Sequence, residues 1–233
     1  MSLNLSQILP QLARLGETIT EQRRIQHETL PKLREGLRLA NEMGFEALQA
    51  RVTAAGDRWP GAAPTGEPVD TIFPAPPALP QCTVIGADGS QIYPDRHASA
   101  FYYLINIGSI CVTHGSQAVP VTTQDPSFFH AQDELYDSKG RPIQPAMINL
   151  QRDVAEMRAL AQAAKQTKDD PRLALLDNSL MLWMTLEADA SAQREIDQLL
   201  ADYLKAMDLL QKEGVALAGF IDRPRNAKPL ALI

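Results

Sequence analysis

The sequence predicts an α/β domain: a mixed sheet flanked by helices, with a helical arm ahead of it. Three observations carry that prediction. β-branched apolar runs with short connections fill residues 82–122, apolar runs alternate with helical patterns from residue 147 onward, and a charged helical pattern ends in a proline-rich stretch near residue 57.

Composition sets the limits. The chain has 233 residues, 45% of them hydrophobic and 21% charged, which suits one good-sized domain plus an appendage. No apolar segment approaches the roughly 20 residues that span a bilayer, and the start, Met1-Ser2-Leu3-Asn4-Leu5, lacks a basic-then-apolar leader. A soluble, cytoplasmic protein without membrane attachment is expected. The two cysteines, Cys82 and Cys111, fall in expected strands and read as free thiols; neither they nor His27, His97, His114 and His130 show metal-ligand spacing, which sets zinc aside. A net charge of -6 lacks the basic excess of a protein that coats nucleic acid by itself, so any nucleic-acid track is local or borrowed from a partner.

Residues 1–56 form the arm. Leu5, Ile8, Leu9, Leu12 and Leu15 recur at helical spacing, and after Gly16 a second pattern runs from Ile19 to Val52, with Pro31 expected to kink or break it. Glu17, Glu21, Arg23, Arg24, Glu28, Lys32, Arg34 and Glu35 make a solvated face, and an arm that dimerises or holds a partner is the functional alternative. Residues 57–81 carry seven prolines among Pro60, Pro64, Pro68, Pro74, Pro76, Pro77 and Pro80, which excludes helix and central strand and marks an extended connector. Trp59 and Phe73 are expected to pin it to the core.

The core occupies residues 82–233. Cys82 to Ile85 is a β-branched run expected to stop at Asp88-Gly89-Ser90, with glycine freeing a turn and the aspartate set at the sheet's rim. Residues 97–108, 109–113 and 117–122 read as further strands of an antiparallel meander, followed by an acidic loop from Gln124 to Pro145. Met147, Leu150, Val154, Met157, Ala161 and Ala164 give a helix with one packing face. Leu173 to Leu176, apolar without alternation, reads as a fully buried strand, and it too delivers an acid, in Asp177-Asn178-Ser179. A helix over residues 190–212 and an apolar strand over 215–221 complete the order.

Three meandering strands followed by helix-crossover strands make a mixed sheet of the ribonuclease-H-like kind. In that arrangement the first strand and the strand after the first helix are central neighbours, so Asp88 and Asp177 come within reach of one cation. Oxygen ligands of this type select magnesium or manganese. On a helical wheel Asp153 lies nearer the apolar stripe than Glu156, so either could be the helix acid that faces the sheet. Ser90 and Ser179 read as caps, with hydrogen bonding to a metal-held water as the alternative.

Several stretches together resemble the NurA nuclease domain: Ala87-Asp88-Gly89-Ser90, Tyr102 to Gly108, Arg152-Asp153-Val154-Ala155-Glu156, Leu175 to Leu180, and Ala218 to Arg225. The resemblance covers residues 82–233 and five elements in order. It implies a manganese- or magnesium-dependent nuclease of DNA end processing in double-strand-break repair, acting on single strands or ends as a homodimer beside a HerA-type hexameric ATPase. It also implies Asp88 and Asp177 as central metal ligands and catalytic acids, with Glu156 as the third and Asp153 as its substitute. Arg223 and Arg225, with Lys228, are candidates to grip phosphate. Two departures stand out. Asn178 replaces the family's usual glycine, which a left-handed turn would tolerate. The chain ends at Ile233, whereas the family is expected to continue and supply an acid and a histidine; a fragment, a partner that completes the site, and a degenerate member are the alternatives, with Asp222 the acid that could substitute. A catalytically silent binding module of the same fold is the competing class. An actin-like or sugar-kinase ATPase lacks its second glycine-rich phosphate loop here, and a purely helical structural protein leaves both aspartates unexplained.

Overall fold

A computed structural model describes residues 5–59, 61–137, 139–168, 171–182 and 190–222. The chain divides into two compact units, and the second, Pro77–Arg223, holds all the strands among the described residues.

In the first unit, α1 spans Leu5–Ala55 and is interrupted at Gly44, whose φ of 76° and ψ of 165° leave the helix. The break therefore falls at the glycine and not at Pro31 or Gly16. Pro10 and Pro31 both lie inside the helix. The stretch between them is rich in helix formers and laced by Arg24 with Glu21 and Glu28, and Arg38 with Glu35 and Glu42 is a second such set. Each such pair adds roughly 0.3–0.5 kcal/mol to helix stability, against the one hydrogen bond a proline removes. A single 3₁₀ turn at Gly56–Arg58 follows, and Trp59 then donates to the Ala62 carbonyl at 3.0 Å under the Arg51 guanidinium. Phe73 is 68% exposed.

The second unit carries a five-stranded sheet in the order β3-β2-β1-β4-β5. β1 (Cys82–Ile92), β2 (Tyr103–His114) and β3 (Val121–Phe129) form the antiparallel meander, while β4 (Arg172–Leu176) and β5 (Ala216–Gly219) join in parallel. The short α2 (Gln132–Leu135) precedes α3 (Pro145–Gln166), the crossover from β3 to β4, and α4 (Ala190–Lys212) precedes β5. This is the ribonuclease-H-like mixed sheet that the element order predicts.

Boundaries shift in instructive ways. Residues 109–113 continue β2 instead of forming a strand of their own, and β3 absorbs the start of the expected acidic loop, through Asp125 and Pro126. Proline fits there because β3 is an edge strand, where one missing donor breaks no central ladder. β1 also runs on past Asp88 through Gly89 and Ser90 to Ile92, so the Asp-Gly-Ser stretch is strand and not turn, and Ser90 caps nothing.

The core lies on one face of the sheet. Ile85 and Ala87 of β1 and Ala174 and Leu176 of β4 pack with Val154, Met157 and Leu160 of α3 and with Ile196, Tyr203 and Leu210 of α4 in one buried cluster. β4 is thus buried on one side only: Ala174 and Leu176 are covered, whereas Leu173 and Leu175 are half-buried on the other side. An unbroken apolar run cannot reveal which side stays open. Cys82 and Cys111 are free and half-buried, three rungs apart in the β1–β2 register.

Candidate metal centre

β1 alternates, with Thr83, Ile85 and Ala87 buried and Gly86, Asp88 and Ser90 on the opposite face. Ala87 is the last residue of β1 paired with β4, opposite Leu176, so Asp88 and Asp177 follow immediately beyond the final rung on strands about 4.8 Å apart. Both are exposed and line one cavity of about 880 Å³ on the open face, together with Gly86, Ser90, Asn106, Gln124, Phe220 and Asp222. The Phe220 N–H donates to the Leu176 carbonyl at 2.9 Å, which extends the β5 edge far enough to bring Asp222 to the same opening.

The turn that presents Asp177 does not use a left-handed asparagine. Among the described residues only glycines have positive φ. Instead the Asn178 side-chain oxygen accepts from the Ser179 N–H at 2.7 Å and the Ser179 hydroxyl oxygen accepts from the Met181 N–H at 3.1 Å. Gly219 on β5 makes room for the turn, since a Cβ there would sit 2.6 Å from the Asn178 carbonyl oxygen.

Glu156 comes from the other side of the sheet. It is 5% exposed, on α3, and its Oε1 lies 2.6 Å from where a Cβ on Gly89 would stand, beside Arg152 Cγ at the same distance. Gly89 is needed for this close approach of helix to strand, not for a turn. Burial pushes the Glu156 carboxyl up to about 7; Arg152 pulls it back, the charges of Asp153 and Asp88 raise it further, and the Gly89 N–H, donating to it, lowers it. Glu156 thus senses Asp88 across the strand. Asp153 is half-buried and bonded to Arg152 at 2.8 Å, so the helix acid set against β1 is Glu156.

The donors are all carboxylate oxygens, which suits magnesium or manganese and not zinc. Among the described residues, no three His, Cys, Asp or Glu side chains are already drawn into one metal-sized group. The fit is therefore one of donor chemistry and direction: Asp88 and Asp177 share the cavity and Glu156 backs onto it at Gly89. His97, His114 and His130 stay outside it. Arg223, Arg225 and Lys228 lie outside the described residues. Sequence reasoning missed Arg152 as the partner of Glu156, although its i,i+4 spacing was there to read, and missed the role of Gly89, which has no sequence signal apart from the small residue itself.

A NurA domain model matches residues 82–233, more than half of the chain. No curated protein sequence matches. Among solved structures, the NurA nuclease from Sulfolobus solfataricus aligns at 14% identity over 64% of this chain and 50% of its own, with a TM-score of 0.36. A NurA bound to dAMP and manganese aligns at 11% identity over 93% of this chain and 43% of its own, TM-score 0.37. An amino-terminal ribonuclease H domain from Mycobacterium tuberculosis aligns at 17% identity over 63% and 92%, TM-score 0.33. The chain spans about half the length of those NurA structures or less. On the strength of the domain match across the whole sheet-bearing region, the chain belongs to the NurA family.

Proposed function

We propose that this chain is a divalent-metal-dependent nuclease that hydrolyses DNA phosphodiesters. The observation that carries the reading is the delivery of Asp88, Asp177 and Asp222 to one cavity at the ends of the central parallel strands, with buried Glu156 behind Gly89. When bound, manganese or magnesium supplies charge to offset the phosphate's and makes a water nucleophilic. Asp88 and Asp177 would hold that ion, and Glu156, buried behind Gly89, would supply a third carboxylate. Asn106 and Gln124, on the same face as Asp88 in neighbouring strands, offer neutral hydrogen bonds to a phosphate or sugar without adding charge to an acidic opening.

Family membership supports a role in DNA end processing during break repair, beside a HerA-type hexameric ATPase, and Arg223 and Arg225 as phosphate contacts. The apolar residues Leu9, Leu12, Leu15 and Ile19 of α1, each at least 40% exposed, support an arm, residues 1–56, that packs on a second copy in a homodimer. No described helix is long and apolar enough to cross a membrane. A cytoplasmic location goes with the reading of a DNA-processing enzyme. The test is cleavage of end-labelled single- and double-stranded DNA with manganese, with magnesium and with chelator. Metal-dependent cutting that Asp88→Ala and Asp177→Ala each abolish supports the reading; an intact fold that never cuts would favour the silent binding module.

A further inference from the structure

Arg152 stands one helical turn before Glu156 and is tied on every arm. Its Nη1 donates to the Gln91 Oε1 at 3.0 Å and its Nη2 to the Asp153 Oδ1 at 2.8 Å. Its Nε lies 3.2 Å from the Glu156 Oε1, an ion pair whose buried N–H is not aligned into a hydrogen bond. Gln91 is fixed in turn: its amide donates to the Tyr93 hydroxyl at 2.7 Å and to the Asn149 Oδ1 at 3.2 Å. Gln91 lies two residues beyond Gly89 in β1 and so on the same face, which makes the strand hold the guanidinium from one side while α3 holds it from the other. The Glu156 side chain is 7% exposed and that of Arg152 24%. A buried carboxylate needs a counter-charge, and a planar fork anchored at two other points fixes where that carboxylate sits.

We propose that Arg152 is the positioning residue for Glu156, holding its carboxylate against Gly89 so that it can act as a third oxygen donor beside Asp88 and Asp177. The inference rests on the metal reading above. Arginine is required because three partners in different directions must be met at once; lysine supplies the charge but can satisfy only part of the set. Arg152 lies outside the lining of the cavity shared by Asp88 and Asp177 and acts through Glu156.

The experiment is a pair of double-mutant cycles on the full chain. Manganese affinity is measured by titration calorimetry for wild type, Arg152→Met, Arg152→Lys, Glu156→Gln and the Arg152→Met/Glu156→Gln double variant, and melting temperature is measured on the same five in chelator. Arg152→Met should weaken manganese binding about 10- to 100-fold, the usual cost of losing a partner of a metal ligand, with Arg152→Lys recovering part of the loss. In the Glu156→Gln background Arg152→Met should change the affinity no further. In chelator, Arg152→Met should lower the melting temperature and adding Glu156→Gln should raise it back. Unchanged manganese affinity in Arg152→Met, or an equal loss in both backgrounds, would overturn the proposal while leaving the metal site standing. A wild type that takes up no manganese overturns the metal reading and this inference with it, a result plainly different from the first two.

Discussion

The two faces of the sheet come from the same five strands and are built to opposite ends. On the covered face Ile85, Ala87, Ala174 and Leu176 meet α3 and α4 and are almost wholly buried. On the open face the alternate positions are Gly86, Asp88 and Ser90 in β1, Gly108 and Ile110 in β2, and Leu175 in β4, around an 880 Å³ cavity. The covered face makes the fold; the open face carries the exposed acids. Glu156 is the exception, a charge held inside the covered side and brought to the acids only because Gly89 has no side chain. The contrast teaches that charge is tolerated within the core where a missing Cβ and a fixed arginine make a place for it.

Mutations separate the two faces, and the largest effect belongs to the open one. Asp88→Ala or Asp177→Ala should cut metal-dependent cleavage on the order of a thousandfold, since the ion contributes several kcal/mol to the transition state. Both residues are exposed, so urea unfolding should move by less than about 0.5 kcal/mol. On the covered face, Leu160→Ala at a fully buried position should cost about 2–5 kcal/mol of stability. Ile110→Ala, on the open face and 42% exposed, should cost under about 1 kcal/mol by the same assay.

Glu156 breaks the pattern with pH. In chelator its folded carboxyl titrates near 7, above the ordinary value of 4.5, so the folded state keeps a proton that the unfolded chain has lost. Stability from this group is therefore full below pH 4.5 and falls as pH rises to about 7, by roughly 3 kcal/mol. Glu156→Gln should flatten that fall and raise the melting temperature at pH 8. Gly89→Ala probes the same place by shape. Its new methyl would press on Arg152 Cγ and Glu156 Oε1, each 2.6 Å away, and should cost about 1–3 kcal/mol by urea unfolding.

Much of this was legible in the residues. The 3.6-residue spacing of α3 marks its buried stripe correctly, and the order of strands and helices alone fixes β1 and β4 as central neighbours, which brings Asp88 and Asp177 together. What the residues do not show is tertiary. Asp88-Gly89-Ser90 has the composition of a turn, yet pairing with β2 carries it on as strand to Ile92. The run Leu173 to Leu176 looks buried on both sides because all its members are apolar, whatever faces them. A helical wheel brings Asp153 nearer the core, but wheel angle ignores side-chain length; the longer Glu156 reaches Gly89, and Arg152 engages the shorter Asp153. Gly44 rather than Pro31 ends the regular helix because only its backbone takes a φ of 76°, whereas proline's fixed φ is already helical.

The most direct measurement of the central claim is manganese uptake by the wild-type chain against Asp88→Ala and Asp177→Ala, followed by titration calorimetry under identical conditions. If the two strands build one oxygen-ligand site, wild type binds the ion and either substitution removes or greatly weakens that binding while the melting temperature in chelator stays put. Equal manganese binding by wild type and both variants, or none by any of the three, would contradict a metal site at the ends of β1 and β4.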